Sequence, residues 1–229
     1  FRPLRADNPV YAWIRMFAAR VEHSFNAGQP EHGRMGWLVM MSVLVVPVLL
    51  VYWLLALVGP LAQFAWSVLI VYLTLGFRHY SHYFTAIQGA LSENDLTEAR
   101  RLLAEWTRQD VRDLDSREIA RLSVENALIT THHHVFGVFF WLLLPIGPAG
   151  AVIYRVAEYL ARGWNSPEMK EESFGAFAKK AFDLIDWVPA RLTAIAFAIV
   201  GNFEDAVYAW RNFARRWSSE STGIILSAG

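Results

Sequence analysis

The stretch from Trp37 to Phe77, WLVMMSVLVVPVLLVYWLLALVGPLAQFAWSVLIVYLTLGF, contains no Asp, Glu, Lys or Arg. Gly59-Pro60 divides it into two apolar runs, Trp37–Val58 and Leu61–Phe77. A bilayer core of about 30 Å needs about 20 apolar residues in a helix, so the first run is long enough to cross and the second just so. A transmembrane helical hairpin over residues 37–77 is expected, and the rest of the chain is read from it.

Composition points the same way. Hydrophobic residues make up 55% of the 229 and charged residues 18%, with ten Trp, and the mean hydropathy is +0.25. With a formal net charge of zero there is no basic footprint for nucleic acid, which is set aside as a partner. The lack of Cys excludes disulfides and Cys-ligated metal centres. Phe1 in place of Met, and a final Ser227-Ala228-Gly229, read as a piece of a longer chain.

Outward from the hairpin, residues 1–36 carry Arg2, Arg5, Arg15, Arg20 and Arg34, and Tyr11–Phe25 has apolar residues at helical spacing. An amphipathic helix is expected there, lying on the membrane surface or packed on the cytoplasmic domain. Residues 78–134 read as a cytoplasmic helical region, with a helix from Leu96 to Arg108 and Asp115-Ser116 capping another over Glu118–Ile129. Residues 135–160 are apolar again, but Leu144-Pro145-Ile146-Gly147-Pro148-Ala149-Gly150 breaks them into two half-helices in a re-entrant or hairpin arrangement. Residues 161–186 read as a polar helical region, and 187–229 as a last membrane segment with a truncated tail. The expected class is all-α and polytopic. Arg before the hairpin, and Arg78, Arg100 and Arg101 after it, favour the cytoplasm for both flanks. The lipid bilayer is then a necessary partner, and a protein partner or a second copy an optional one.

Five of the seven His lie beside the apolar segments: His79 and His82, then His132, His133 and His134. With Glu125 they suggest a metal or phosphate site, and His79, His82 and His133 are the candidate ligands. Successive His on a helix diverge, and interfacial His often only bonds backbone or headgroups. Carboxylates near apolar segments point more sharply, because a charge in lipid persists only beside a partner or a cavity. Glu158, Asp183, Asp186, Glu204 and Asp205 qualify, with Arg155, Arg162, Arg191 and Arg211 as partners; ion pairing within a helix bundle is the bland alternative. No phosphate-binding glycine loop, Gly-x-Ser-x-Gly elbow or His-Glu-x-x-His occurs.

Three segments, in order, resemble the CobD/CbiB family. They are Leu96 through Glu125, then Phe140-Trp141 followed by Gly150-Ala151-Val152-Ile153-Tyr154-Arg155, then Asp183-Leu184-Ile185-Asp186-Trp187-Val188-Pro189-Ala190-Arg191-Leu192-Thr193. The tail Ser219–Gly229 resembles that family's Ser-Pro-Asn-Ala-Gly segment. The resemblance implies membrane-bound adenosylcobinamide-phosphate synthases, which join an aminopropanol arm to a corrinoid carboxylate in an ATP-dependent, amide-forming step of cobalamin synthesis. It also implies roles for retained residues. Glu125, Asp183 and Arg191 would be catalytic, and Arg121, Tyr154 and Arg155 would contact substrate, with Glu158 and Asp186, at positions where the chain departs from the family, as further candidate substrate contacts. ATP and Mg²⁺ would follow only with that activity. Asp110, Glu118 and Pro189 are retained as well.

Other positions depart. Where the family writes Ala-Glu-Asn and then Asp-Gly, this chain has Ile129, Thr130, His133 and His134; where it writes Asn-Thr-Leu-Asp-Ser-Met, the chain has Glu158, Tyr159, Leu160 and Ala161. Phe182 replaces the first of an Asp pair, and Asp186 an Asn. Glu125-Asn126-Ala127-Leu128 and Asp186–Leu192 also resemble AmpE, a group of inner-membrane proteins linked to β-lactamase regulation. The expected function is a ligand-binding or regulatory member with a degenerate synthase site, and the alternative is the synthase itself.

Overall fold

A computed structural model describes residues 9–26, 30–75, 78–107, 109–165, 174–200, 208 and 220–228. All the regular structure among them is helical, as expected. The chain forms two compact units: Phe1–Leu75 with Val135–Ala190, and Gly76–His134 with Arg191–Gly229.

In the first unit, helix α1 (Pro9–Phe25) packs on α2 (Pro30–Ala56), burying Ala18 and Val21. The partner of α1 is thus the first helix of the expected hairpin. Helix α2 starts seven residues before the charge-free run, with Glu31 in its first turn, where an acid offsets the helix dipole. The turn to α3 (Pro60–Leu75) needs Gly59, whose φ of 141° is closed to residues with a Cβ. Two α3 side chains reach back to α2 carbonyls: Gln63 Nε2 donates to Tyr52 at 3.3 Å and Trp66 Nε1 to Val48 at 3.3 Å. Among the described residues one helix, Glu31–Ala56, is long and apolar enough to cross a membrane. The 16 residues of α3 extend only about 24 Å, short of a full hydrocarbon core. Over the described residues the second run is thus a shorter apolar helix, and Gly76 and Phe77 of the expected run lie outside them.

The break expected at 144–150 is a turn between α7 (Gly137–Leu142) and α8 (Pro148–Gly163), which pack on each other. Gly147 holds φ at 59° and Pro148 starts α8, a position where its missing N–H costs nothing. Gly150 lies where any Cβ would strike the Trp141 carbonyl. Met40, Val45, Val138, Ala149, Ala157 and Phe182 are among the buried core of this unit.

In the second unit, α4 (Arg78–Ser92), α5 (Leu96–Thr107) and α6 (Ser116–Thr131) surround Ile87, Ala99, Leu103 and Ile119. Asn94, with φ of 58°, turns the chain between α4 and α5, and Asp95 caps α5 through the Glu98 N–H at 3.0 Å. Asp115 and Glu118 form a reciprocal capping box at the start of α6, each side chain accepting from the other's backbone N–H. Arg100 fixes the loop before it by donating to the Leu114 carbonyl at 3.0 and 2.8 Å. A π-helical turn, His132–Phe136, follows α6.

Helix α9 (Ala176–Val200) is continuous, so the boundary expected between 186 and 187 falls inside one helix. Leu184, Val188, Leu192, Ile195 and Ile199 form an exposed apolar stripe along it. A last helix, α10 (Glu220–Ala228), packs on α6.

Candidate functional site

The site is built on α8 and the first half of α9. Helical spacing puts Tyr154 and Glu158 one turn apart on the buried side of α8, amid Ala151, Ala157 and Leu160. Tyr154 is fully buried and donates its hydroxyl to Asp186 Oδ1 at 2.7 Å, with Asp186 only 1% exposed. The ring reaches that position because Gly137 of α7 has no side chain; a Cβ there would overlap its Cζ and hydroxyl. Phe182, one turn before Asp186, lies against the same ring at 5.6 Å. Trp141 Nε1 ties α7 to α9 by donating to the Ile185 carbonyl at 3.3 Å.

Glu158 receives two guanidinium groups. Arg155 Nη1 donates to Oε2 at 3.0 Å and Arg162 Nε stands 3.6 Å from Oε1. The Glu158 side chain is 4% exposed and Arg162 67%. A buried charge persists only when paired and bonded, and this carboxylate has such partners from its own helix. Asp183, half-buried, lies one turn before Asp186 on α9. Tyr154, Arg155, Glu158, Asp183 and Asp186 are thus all in the first unit, where carboxylate oxygens suit a hard cation and guanidinium groups suit phosphate.

The other expected residues belong to the second unit. Arg121 Nε and Glu125 Oε1 are 3.6 Å apart on α6, a pair at i,i+4 spacing that is mostly exposed on the Arg side. Arg191 is half-buried on α9. His82 is exposed and meets the Tyr83 ring edge-on at 6.3 Å, while the His79 side chain lies outside the described residues, as do Glu204, Asp205 and Arg211. His133 is half-buried, its ring 5.3 Å from that of His132. Thr193 had no place among the expected site residues, and His132 was named only within the His cluster. Both are buried, with His132 Nδ1 and Thr193 Oγ1 2.9 Å apart. The signal available in the sequence was the position of Thr193 at the end of Pro-Ala-Arg-Leu-Thr.

Compared with known proteins, residues 4–229 match the family model described as CobD/Cbib protein. The cobalamin biosynthesis protein CobD of Stutzerimonas stutzeri is 34% identical over 99% of this chain and 74% of its own length. The protein of the same name from Chromobacterium violaceum is 32% identical over 82% of this chain and 60% of its own. That of Desulfotalea psychrophila is 24% identical over 90% and 66%. No solved structure matches. The expected likeness to AmpE gains no support from these relatives, all of which carry the CobD name.

Proposed function

Because the chain belongs to the CobD/Cbib family, we propose that it acts in cobalamin biosynthesis as a membrane-embedded adenosylcobinamide-phosphate synthase, forming an amide between an aminopropanol arm and a corrinoid carboxylate with ATP. The reading as a regulatory member with a degenerate site gives way, since relatives named for cobalamin biosynthesis align along nearly the whole chain. The observation that carries the proposal is the buried Tyr154–Asp186 bond beside the Arg155–Glu158 pair, inside an otherwise apolar helical unit. Ionisable side chains at such depth are costly, and their usual reason is function.

Amide formation needs an activated carboxylate, a positioned amine and a place for the proton the amine loses. Asp183 and Asp186 offer the oxygen ligands Mg²⁺ takes, and that ion would neutralise phosphate charge when bound. Arg155 offers donors to phosphate oxygens. Tyr154 orients the Asp186 carboxylate by occupying Oδ1, and Phe182 packs against the Tyr154 ring.

The membrane placement rests on the exposed faces of α2, α3 and α9. Leu50, Trp53 and Leu54 of α2, Leu61 and Phe64 of α3, and the α9 stripe ending at Ile199 all face outward. Apolar surface this extensive calls for lipid. This surface and the flanking Arg residues support a multi-pass arrangement in the inner membrane, with polar helices in the cytoplasm.

The test is turnover by the full-length protein in detergent with the corrinoid carboxylate, aminopropanol phosphate, ATP and Mg²⁺. ATP-dependent amide product is expected. A folded, monodisperse protein that forms none would overturn the synthase reading.

A further inference from the structure

Helices α1 and α2 are consecutive and pack on each other, with Val21 so close to Gly36 that a Cβ there would come within 3.3 Å of Val21 Cγ1. Trp13, Met16, Arg20 and His23 recur at helical spacing on the outward side of α1, and all four are exposed. Glu31, Arg34, Met35 and Leu38 do the same on α2. Both stripes are graded alike. Each is charged at the end nearest residues 26–29, which join the two helices, and apolar beyond it, through Met16 and Trp13 on α1 and through Met35, Leu38, Val43 and Val46 on α2. At 1.5 Å per residue, Arg20 lies about 10 Å nearer that connection than Trp13, and Arg34 about 6 Å nearer than Leu38. Both Arg residues stand within about one turn of the Val21–Gly36 contact, so their guanidinium groups leave the helix pair at one level. Water on all sides gives no reason for such a gradient, whereas the passage from headgroups to acyl chains does.

We propose that the outward face of the α1–α2 pair is a binding surface for anionic phospholipid, with Arg20 and Arg34 at the headgroups and Trp13, Met16 and Leu38 among the acyl chains. Charge complementarity selects this occupant: Arg20 and Arg34 outweigh Glu31, the one exposed acid in the two stripes. A phosphatidylglycerol headgroup carries a net negative charge that answers them, while the choline cation of phosphatidylcholine cancels its own phosphate. The face is also continuous with the exposed Val43, Val46 and Leu50 of α2, part of the apolar surface assigned above to lipid. The inference rests on that membrane placement and is independent of the reaction catalysed.

The experiment places the full-length protein in phosphatidylcholine nanodiscs and measures, with spin-labelled lipids, how strongly it holds phosphatidylglycerol relative to phosphatidylcholine. At low salt the wild type is expected to favour phosphatidylglycerol by about fivefold, equivalent to about 1 kcal/mol. The Arg20→Gln, Arg34→Gln double variant should lose most of that preference with an unchanged melting temperature, since both side chains are exposed. The Arg20→Lys, Arg34→Lys double variant keeps both charges and should keep most of the preference. Salt at about 1 M, where the Debye length is about 3 Å, should weaken it in the wild type. No preference in the wild type overturns the proposal, as does a wild-type preference in the Gln variant. A Lys variant as weak as the Gln variant also overturns it, because charge is then not what recognises the lipid. Displacement of phosphatidylglycerol by added inorganic phosphate would mark a site for the free anion and overturn the lipid surface. The membrane placement is judged apart: protein that enters no bilayer removes the placement and the surface together, and protein that inserts without preferring phosphatidylglycerol removes the surface alone.

Discussion

Tyr154 and Asp186 stand 32 residues apart in the chain and are joined by a 2.7 Å hydrogen bond, with almost no surface of either side chain open to solvent. The bond links α8 to α9 at the centre of the candidate site. Replacing Tyr154 by Phe keeps the ring against Phe182 and removes only the donor. A hydrogen bond to a charged group contributes roughly 1.5–3 kcal/mol, so the variant should unfold more readily by about that amount. Denaturant titration in mild detergent checks this, and unchanged stability would show that the bond adds nothing.

Gly137 and Gly89 form a contrasting pair. A Cβ on Gly137 overlaps the Tyr154 ring, whereas one on Gly89, in α4, meets nothing within 4 Å. Gly137→Ala should cost about 1–3 kcal/mol through overpacking and displace the tyrosine. Gly89→Ala should be stabilising by about 0.5–1 kcal/mol, because Ala is the better helix former. Melting temperatures of the two variants moving in the same direction would contradict the packing described.

The capping box of α6 gives a local prediction. Asp115→Ala leaves the Glu118 N–H without its side-chain acceptor and should destabilise the helical unit by about 1 kcal/mol, while Asp115→Ser, another good cap, should recover most of it. Equal losses in both variants would rule out capping as the cause.

Asp110 should titrate abnormally. The Arg112 side chain donates to it at 2.9, 3.2 and 2.6 Å, and the Arg112 backbone N–H adds a bond at 3.2 Å, which lowers the carboxyl to about 2 from an ordinary 3.8. A depressed acid contributes stability that is fully present above its unfolded value of 3.8 and is lost as pH falls through about 2. Carboxyl NMR of wild type should show the low midpoint, returning towards 3.8 in Arg112→Ala. A wild-type midpoint at the ordinary value would remove the ion pair.

Much of the fold was legible because its signals are local. The charge-free run marks α2 and α3, Gly147-Pro148 marks the turn before α8, and Asp115 with Glu118 marks the start of α6. The early start of α2 was hidden by Glu31, His32 and Arg34, whose polarity says nothing against a helix outside lipid. The π turn at His132 was illegible for another reason: a single wider turn leaves no mark in composition, yet His132 and His134 are both buried there. For the site, helical spacing showed that Arg155 and Glu158 could pair, and they do. It is silent about contacts between helices, so the choice of Tyr154 as the partner of Asp186 emerged only from packing, with Gly137 making the room.

The central claim is that this buried polar group is where the amide forms. Its most direct test is the turnover number of Asp183→Asn, a substitution that preserves shape while removing the carboxylate that the chain shares with the family one turn before Asp186. The account predicts a folded variant whose ATP-dependent amide formation falls by at least about a hundredfold, the scale expected for losing a group that orients or takes a proton. Wild-type turnover in the folded variant would contradict it.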